Sequence, residues 1–173
     1  MKNTITKLIT SIISICMLTV TLQAQAIEYE SYHRFIIPAD NYEEWFTPLD
    51  QTTELTLDFN NTDANSGYYP AQMSFKFGDE AWDKIIEIRS RYNDEDEVVE
   101  FFVRFDIYGE QKQKMLLPHT VKLGEHLLVD TKISKNKITF IIDGNEHKYA
   151  IKFTPELLGF MCVGCVGEMG VYF

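Results

Sequence analysis

Positive charge is scarce in this sequence, which has 16 Lys and Arg residues against 26 Asp and Glu residues and a formal net charge of −10. Nucleic-acid binding depends on basic side chains that neutralise phosphates, so a nucleic-acid partner is excluded. The 173 residues also lack an internal repeat, a low-complexity tract and a linker. Because domains usually span about 100 to 200 residues, we expect a single domain. The hydrophobic content of 45% is too high for a disordered chain.

Long apolar runs are also lacking, apart from residues 8–22 near the start of the chain. Ala24-Gln25-Ala26 follows this run with the small-x-small pattern of a signal-peptide cleavage site. The run is shorter than the ~20 residues of a membrane-spanning helix and has no basic flank after it. We therefore expect residues 1–26 to be a signal peptide and residues 27–173 to be exported, periplasmic or secreted, without a membrane span. The alternatives are a retained anchor and a lipoprotein modified at Cys16.

Helical periodicity is nearly absent, and only Thr154–Leu158 predicts a helix, a short one with a threonine cap and a proline in its first turn. Elsewhere apolar and polar residues alternate, as in half-buried strands. The predicted strands are 54–60, 72–77, 84–92, 98–108, 127–133, 137–143, 147–153 and 168–173. Asp143-Gly144-Asn145-Glu146 predicts a tight hairpin, and residues 27–49 predict an irregular arm or an edge strand. This pattern favours an all-β fold, an antiparallel β-sandwich with at most one short helix, over a barrel.

Two segments carry a resemblance to a known superfamily. Residues 121–144, which run as strand, short polar turn and strand ending in Asp143-Gly144, resemble the late hairpins of concanavalin-like jelly-roll domains. Residues 167–173 resemble the final strand of that fold. That superfamily contains lectins, glucanases, polysaccharide lyases and carbohydrate-binding modules, so the resemblance implies a jelly-roll sandwich that acts on carbohydrate. The sequence departs from its enzymes, because it has neither the Glu-x-Asp-x-x-Glu motif of the glucanases nor the Gln-(Ile/Val)-His motif of the alginate lyases.

Cysteine occurs three times, and removal of a signal peptide would leave only Cys162 and Cys165. An even number of cysteines in an oxidising compartment predicts a disulfide. Thiol–disulfide catalysis and structural zinc are the alternatives, but the glycines around this pair disfavour the helix that a redox thiol needs. The four histidines show no pairing at metal-ligand spacing, so no metal site is predicted. These histidines are His33, His119, His126 and His147.

Aromatic residues in predicted loops suggest a sugar-binding surface, because aromatic faces cover the apolar faces of pyranose rings. Tyr68, Tyr69 and Trp82 are the preferred contacts, and sealing of the sandwich edge is their structural alternative. Polar residues on the outward faces of the predicted strands add Arg89, Arg104 and Asp106 as candidate ligand contacts. Weak calcium-binding candidates are also present in two acidic segments. They comprise Asp58, Asn60, Asp63 and Asn65 in one segment and residues 94–97 in the other.

The sequence offers less evidence for catalysis than for binding. A glycosidase needs two carboxylates flanking a cleft, for which Glu87, Glu100 and Asp106 are the candidates, whereas a lyase needs cations and a Tyr or His base. The lyase candidates are Arg89, Arg91, Arg104, Tyr108 and His119. The sequence therefore favours an exported carbohydrate-binding or recognition module without catalysis, with a glycan or an extracytoplasmic protein as partner and no cofactor. A structural or partner-protein-binding role and a lyase- or glycosidase-like enzyme stay open.

Overall fold

The structure, a computed structural model, describes residues 31–39, 41–49, 54–64 and 71–172. The predicted signal peptide at residues 1–26 lies outside these ranges, as do Tyr68 and Tyr69. Within the described part of the chain, no helix has the length and apolar character of a membrane span.

Twelve β-strands make up the regular structure of the described residues. Their bounds are β1 Ser31–Ile36, β2 Tyr42–Pro48, β3 Glu54–Ala64, β4 Gln72–Gly78, β5 Lys84–Asn93, β6 Val98–Ile107, β7 Glu110–Val121, β8 His126–Ser134, β9 Lys137–Ile142, β10 Asn145–Ala150, β11 Leu157–Val163 and β12 Cys165–Tyr172. The first sheet has the order β1-β12-β3-β8-β9-β10, and the second has the order β2-β11-β4-β5-β6-β7. Every strand pair in both sheets is antiparallel.

The core lies between the two sheets and is built by alternation along each strand. In β6 the fully buried Val99, Phe101 and Val103 face inward, and Glu100 and Phe102 occupy the outward positions between them. Phe59 of the first sheet packs edge-on against Phe75 of the second sheet, with ring centroids 4.7 Å apart. Burial of such rings contributes roughly 25 cal/mol for each Å² of apolar surface removed from water. The predicted antiparallel sandwich is confirmed.

The predicted helix at Thr154–Leu158 is wrong. Glu156 is extended: its backbone N–H donates to the Gly78 carbonyl at 2.8 Å, and its own carbonyl accepts from Leu49 at 2.9 Å. Leu157 then begins β11, which pairs with β2 on one side and β4 on the other. Two neighbouring strands thus satisfy the backbone groups that a helix would have paired internally.

The predicted hairpin is confirmed, since Asp143 and Gly144 have φ values of 50° and 76° and Ile142 pairs with Asn145. Positive φ at both central residues is what a two-residue turn of this kind requires. The prediction of an edge strand within residues 27–49 is also correct, because β1 and β2 lie at the edges of the two sheets.

The predicted disulfide between Cys162 and Cys165 is confirmed. Its Cα atoms are 6.3 Å apart, and both residues are fully buried. The bridge spans Gly164, where the chain leaves β11 of the second sheet and enters β12 of the first. It therefore fastens the two sheets to each other at this crossing.

Candidate functional site

Charged side chains converge on the outer face of the second sheet, across β5, β6 and β7. Antiparallel pairing sets Glu87 opposite Arg104, Arg89 opposite Phe102 and Arg91 opposite Glu100, and it sets Arg104 opposite Lys114 on β7. These residues alternate with core residues along their strands, so they share the side of the sheet that faces away from the core. We call this surface the charged face; its members are Glu87, Arg89, Arg91, Glu100, Phe102, Arg104, Asp106 and Lys114.

Glu87 is the buried centre of the charged face, with only 1% of its surface exposed. Its Oε1 atom lies 2.7 Å from Arg89 Nη2 and 3.4 Å from Arg104 Nε. Arg89 in turn donates from Nη1 to Gln72 Oε1 at 2.7 Å. A buried carboxylate is tolerated when cations compensate it, and here two guanidinium groups lie beside one carboxylate, although neither makes a well-aligned hydrogen bond to it.

Two further carboxylates are held by arginines. Arg104 makes a two-point contact with Asp106 and donates from Nε to Oδ1 at 2.8 Å. Arg91 Nη2 lies 2.6 Å from Glu100 Oε2, and Asn93 donates to the other oxygen of Glu100 at 3.0 Å. The hydrogen bonds from Arg91 and then Asn93 lower the pKa of Glu100 below its ordinary value. Guanidinium and carboxylate groups fixed in this way present oriented donors and acceptors to a ligand.

An aromatic ring lies beneath the cations of the charged face. Phe102 is 3% exposed although it points away from the core, because Lys114 Nζ lies 4.0 Å and Arg91 Cζ lies 5.8 Å from its ring centroid. Burial, followed by the nearby charges of Arg91 and Arg89, lowers the pKa of Lys114. Among the described residues no carboxylate oxygen lies within 4.0 Å of Lys114 Nζ. The charged face therefore holds four cations against three carboxylates, although the chain as a whole is acidic.

Trp82, the remaining predicted contact within the described ranges, is separate from the charged face. It follows β4 and covers the outer side of Gly78, where an added Cβ would lie 2.4 Å from the indole Cε3 atom. Its ring centroid lies 4.7 Å from that of Phe46 on the edge strand β2. Trp82 thus occupies the other end of the same sheet face and packs on protein. Arg89, Arg104 and Asp106, by contrast, lie together within the charged face.

The candidate catalytic groups do not assemble into one site. Tyr108 lies in the β6–β7 turn and is 70% exposed. His119 belongs to β7 but faces the gap between the sheets, where its Nε2 atom lies 3.2 Å from Nε2 of His147. Each carboxylate considered for a glycosidase is paired with an arginine. A general acid needs a raised pKa, whereas the pKa of Glu100 is lowered.

The calcium candidates are engaged with other protein groups. His126 Nδ1 lies 2.9 Å from Asp58 Oδ1, and Asn60 Nδ2 lies 3.1 Å from His126 Nε2. In the β5–β6 turn, Asn93 bonds to the side chain of Asp96. Asn65 lies outside the described residues. Within the described ranges, no group of three or more His, Cys, Asp or Glu side chains is arranged to hold a metal ion.

Sequence reasoning missed two features of the site region. Phe102 occupies an outward position, so alternation gave no sign that cations would bury it. His119 and His147 are 28 residues apart and on strands of different sheets, so their contact depends on the sandwich itself. They come together only because the stacking of the two sheets places the edge strands β7 and β10 side by side.

The sequence matches no protein-family profile and no curated protein, but the fold is similar to that of galectins. Xenopus laevis galectin-Ib aligns with a TM-score of 0.53 and 12% identity, over 75% of this chain and 100% of that one. CG-16, a homodimeric agglutinin from chicken liver, aligns with a TM-score of 0.53 and 8% identity over 75% and 100% of the two chains. The complex of toad ovary galectin with thio-digalactose aligns with a TM-score of 0.50 and 9% identity, over 84% of this chain and 99% of that one. The chain thus has the concanavalin-like jelly-roll fold that its sequence resembles.

Proposed function

We propose that this chain is an exported, non-catalytic glycan-binding protein whose site is the charged face, and that it prefers glycans carrying a carboxylate or sulfate group. The single observation that carries this proposal is the cluster of arginine–carboxylate pairs around Glu87 on the outer face of the second sheet. Such pairs offer donors and acceptors to sugar hydroxyls in fixed directions.

The preference for an anionic glycan follows from the surplus cation. The charges of Arg91, Arg89 and Arg104 act on Lys114. Among the described residues, no carboxylate oxygen lies within 4.0 Å of its Nζ atom. An anionic group bound here would relieve the repulsion between these cations. The net charge of −10 repels polyanions at long range, so the local cation surplus would select short anionic groups rather than long polyanionic chains.

The comparisons support a glycan as the ligand class at the level of fold. Two of the similar structures are complexes of toad ovary galectin, one with thio-digalactose and one with N-acetylgalactose. Export is supported by the N-terminal apolar run and by the disulfide, which is typical of proteins in oxidising compartments.

A glycan array carrying neutral, carboxylated and sulfated glycans tests this proposal. The chain is compared with Arg91→Ala and Lys114→Ala, which remove partly exposed cations of the charged face, and with Lys132→Ala, which removes an exposed cation from the first sheet. We expect binding to anionic glycans that drops at least tenfold in the first two variants and is unchanged in the third. Binding should also weaken with added salt, since exposed charges are screened.

Binding that survives both charged-face substitutions would place the site elsewhere and contradict the proposal. A blank array would favour the alternative role in binding a partner protein. For that role the edge strand β2, with Tyr42 68% exposed and Phe46 52% exposed, is the surface to substitute in a pull-down experiment.

A further inference from the structure

The two sheets meet at an open edge formed by β7 and β10, and two histidines face each other there. β7 ends the second sheet and β10 ends the first. His147 lies opposite the core residue Phe140 in the β9–β10 pairing, so it points into the gap between the sheets. His119 alternates in step with the buried Leu117 and with Val121, which lies opposite the buried Val99, so it points into the same gap. We propose that His119 and His147 bind one Zn²⁺ ion through their Nε2 atoms.

The geometry of the pair fits two ligands of one ion. The two Nε2 atoms lie 3.2 Å apart, and the ring planes are nearly perpendicular, at 87°. At the usual zinc–nitrogen distance of about 2.0 to 2.1 Å, this separation corresponds to an N–Zn–N angle of about 100°, close to tetrahedral. Two protein ligands leave two coordination positions for water. Imidazole is a preferred ligand of Zn²⁺, Cu²⁺ and Ni²⁺.

One carboxylate lies near the pair, on the side away from the facing Nε2 atoms. The carboxylate of Asp143 lies on the opposite side of His119, with Oδ2 3.7 Å from Nδ1. At this distance Asp143 makes no hydrogen bond to His119, and its side chain is 80% exposed. Asp143 is therefore neither a ligand nor a group that fixes the orientation of the His119 ring.

The ion would close the edge of the sandwich. Next to the histidines, Tyr149 of β10 contacts Phe105 of β6 across the same gap, with ring centroids 5.9 Å apart. No described backbone pairing joins β7 to β10. A metal bridge between these two edge strands would stabilise the native state, because the ion binds only where both imidazoles are held together.

Titration of the purified protein with ZnCl₂, followed by calorimetry, tests the proposal. We expect one Zn²⁺ per chain and an increase in Tm on saturation. His119→Asn and His147→Asn should each weaken binding at least tenfold, whereas Asp143→Asn should weaken it much less, because Asp143 is exposed and makes no hydrogen bond to His119. His126→Asn is the matched control, since His126 also lies beside a carboxylate, that of Asp58, and it should leave binding unchanged.

A second measurement separates metal binding from a fold defect in the variants. In the unsubstituted protein, Zn²⁺ should shift the ¹⁵N resonances of Nε2 in His119 and His147 and those of no other histidine to the same extent. Absence of stoichiometric binding, shifts confined to other histidines, or undiminished affinity in His119→Asn and His147→Asn would overturn the proposal. Glycan binding is not expected to depend on Zn²⁺. Failure of the zinc titration would therefore not contradict the proposed glycan binding, and a blank glycan array would not contradict the zinc site.

Discussion

At the scale of single residues, Glu87 shows how the charged face accommodates a buried charge. Its carboxylate is 1% exposed yet lies on the side of the sheet that faces away from the core. The flanking arginines and Lys76 opposite it in the β4–β5 pairing cover it. Two of the four cations of the charged face, Arg89 and Arg104, thus keep a buried charge compensated. Substitutions here should affect folding as well as binding, and the two effects can be separated by position.

Arg104→Met removes one of the two cations around Glu87 as well as the partner of Asp106. We expect the free energy of unfolding to fall by about 2 kcal/mol, the usual cost of leaving a buried polar group without its partner. Arg91→Met, which breaks a more exposed pair with Glu100, should cost less than about 1 kcal/mol. Urea denaturation measures both values. An equal or smaller loss in Arg104→Met than in Arg91→Met would show that Arg104 does not compensate Glu87.

Glu100 gives the protein a defined response to acid. The hydrogen bonds from Arg91 and Asn93 set its folded pKa below the ordinary value of 4.5. In the pH range between these two values the unfolded chain binds the proton more readily than the native state does. The stabilisation is therefore present above pH 4.5 and is lost as the pH falls through the folded pKa.

Glu100→Gln should accordingly make the free energy of unfolding depend less steeply on pH in the acid range. Denaturation at a series of pH values on either side of 4.5 measures this slope. Glu54→Gln is the control, because Glu54 lies 3.4 Å from Lys132 but is largely solvent-exposed and should change the slope much less. An unchanged slope in Glu100→Gln would contradict the role given to Arg91.

At the scale of elements, the β4–β5 connection shows that an aromatic residue suggested for ligand contact can serve packing. Trp82 adopts φ of 58° and closes over glycine positions of β4 and β11. At Gly78 a Cβ would come within 2.4 Å of the indole, whereas at Gly159 the closest approach to a ring is 3.0 Å, to Phe46. Because neither glycine has a side chain, the indole can occupy the space over these two positions.

Gly78→Ala should therefore displace Trp82 and destabilise the protein by about 1 to 3 kcal/mol, the usual cost of overpacking. The tryptophan fluorescence should shift to longer wavelength as the indole gains contact with water. Gly159→Ala, with its looser contacts, should have a smaller effect on both quantities. In the background Trp82→Ala, the cost of Gly78→Ala should largely disappear. A full cost in that background would show that the indole is not the obstacle.

The elements that alternation predicted and those that it missed differ in their position in the sheets. β3, β4, β5, β6, β8 and β9 each have one face on the core, and their alternation was read from the sequence. β11 is buried on both faces, so its nearly continuous apolar run carries no period of two. β7 is an edge strand whose first residues are exposed on both faces, and its polar run Glu110–Lys114 also lacks the period. Apolar and polar residues alternate only where a strand is buried on one face. β11 is buried on both faces and the first residues of β7 on neither, so neither strand shows the alternation.

Position in the sheet also determines which residues of the candidate site are predictable from the sequence. The outward positions of Arg89, Arg104 and Asp106 follow from the period of β5 and β6 alone. Their contacts with Glu87, and the cations over Phe102, depend on the register between strands, which no single segment encodes. The His119–His147 contact depends in addition on how the two sheets are stacked.

At the scale of the whole molecule, the disulfide joins the two sheets at the β11–β12 crossing. Cys162 and Cys165 are only three residues apart, so the closed loop is short and its loss restores little chain entropy to the unfolded state. The double substitution Cys162→Ser with Cys165→Ser should lower the free energy of unfolding by about 2 kcal/mol on the loop-length estimate. Urea denaturation with and without reductant measures this difference, and the variant itself should not respond to reductant. A reductant-insensitive unsubstituted protein would show that the bridge does not form in solution.

We propose glycan binding on one outer surface of the sandwich and metal binding at its open edge. The most direct test of the central claim is NMR chemical-shift mapping of the protein with the anionic glycan that gives the strongest array signal. We predict that the shifted backbone amides lie in β5, β6 and β7, centred on Arg91, Phe102 and Lys114, with the first sheet unaffected. Shifts centred on the outer face of the first sheet, around Asp58 and His126, would contradict the account, and so would the absence of any shift at saturating glycan.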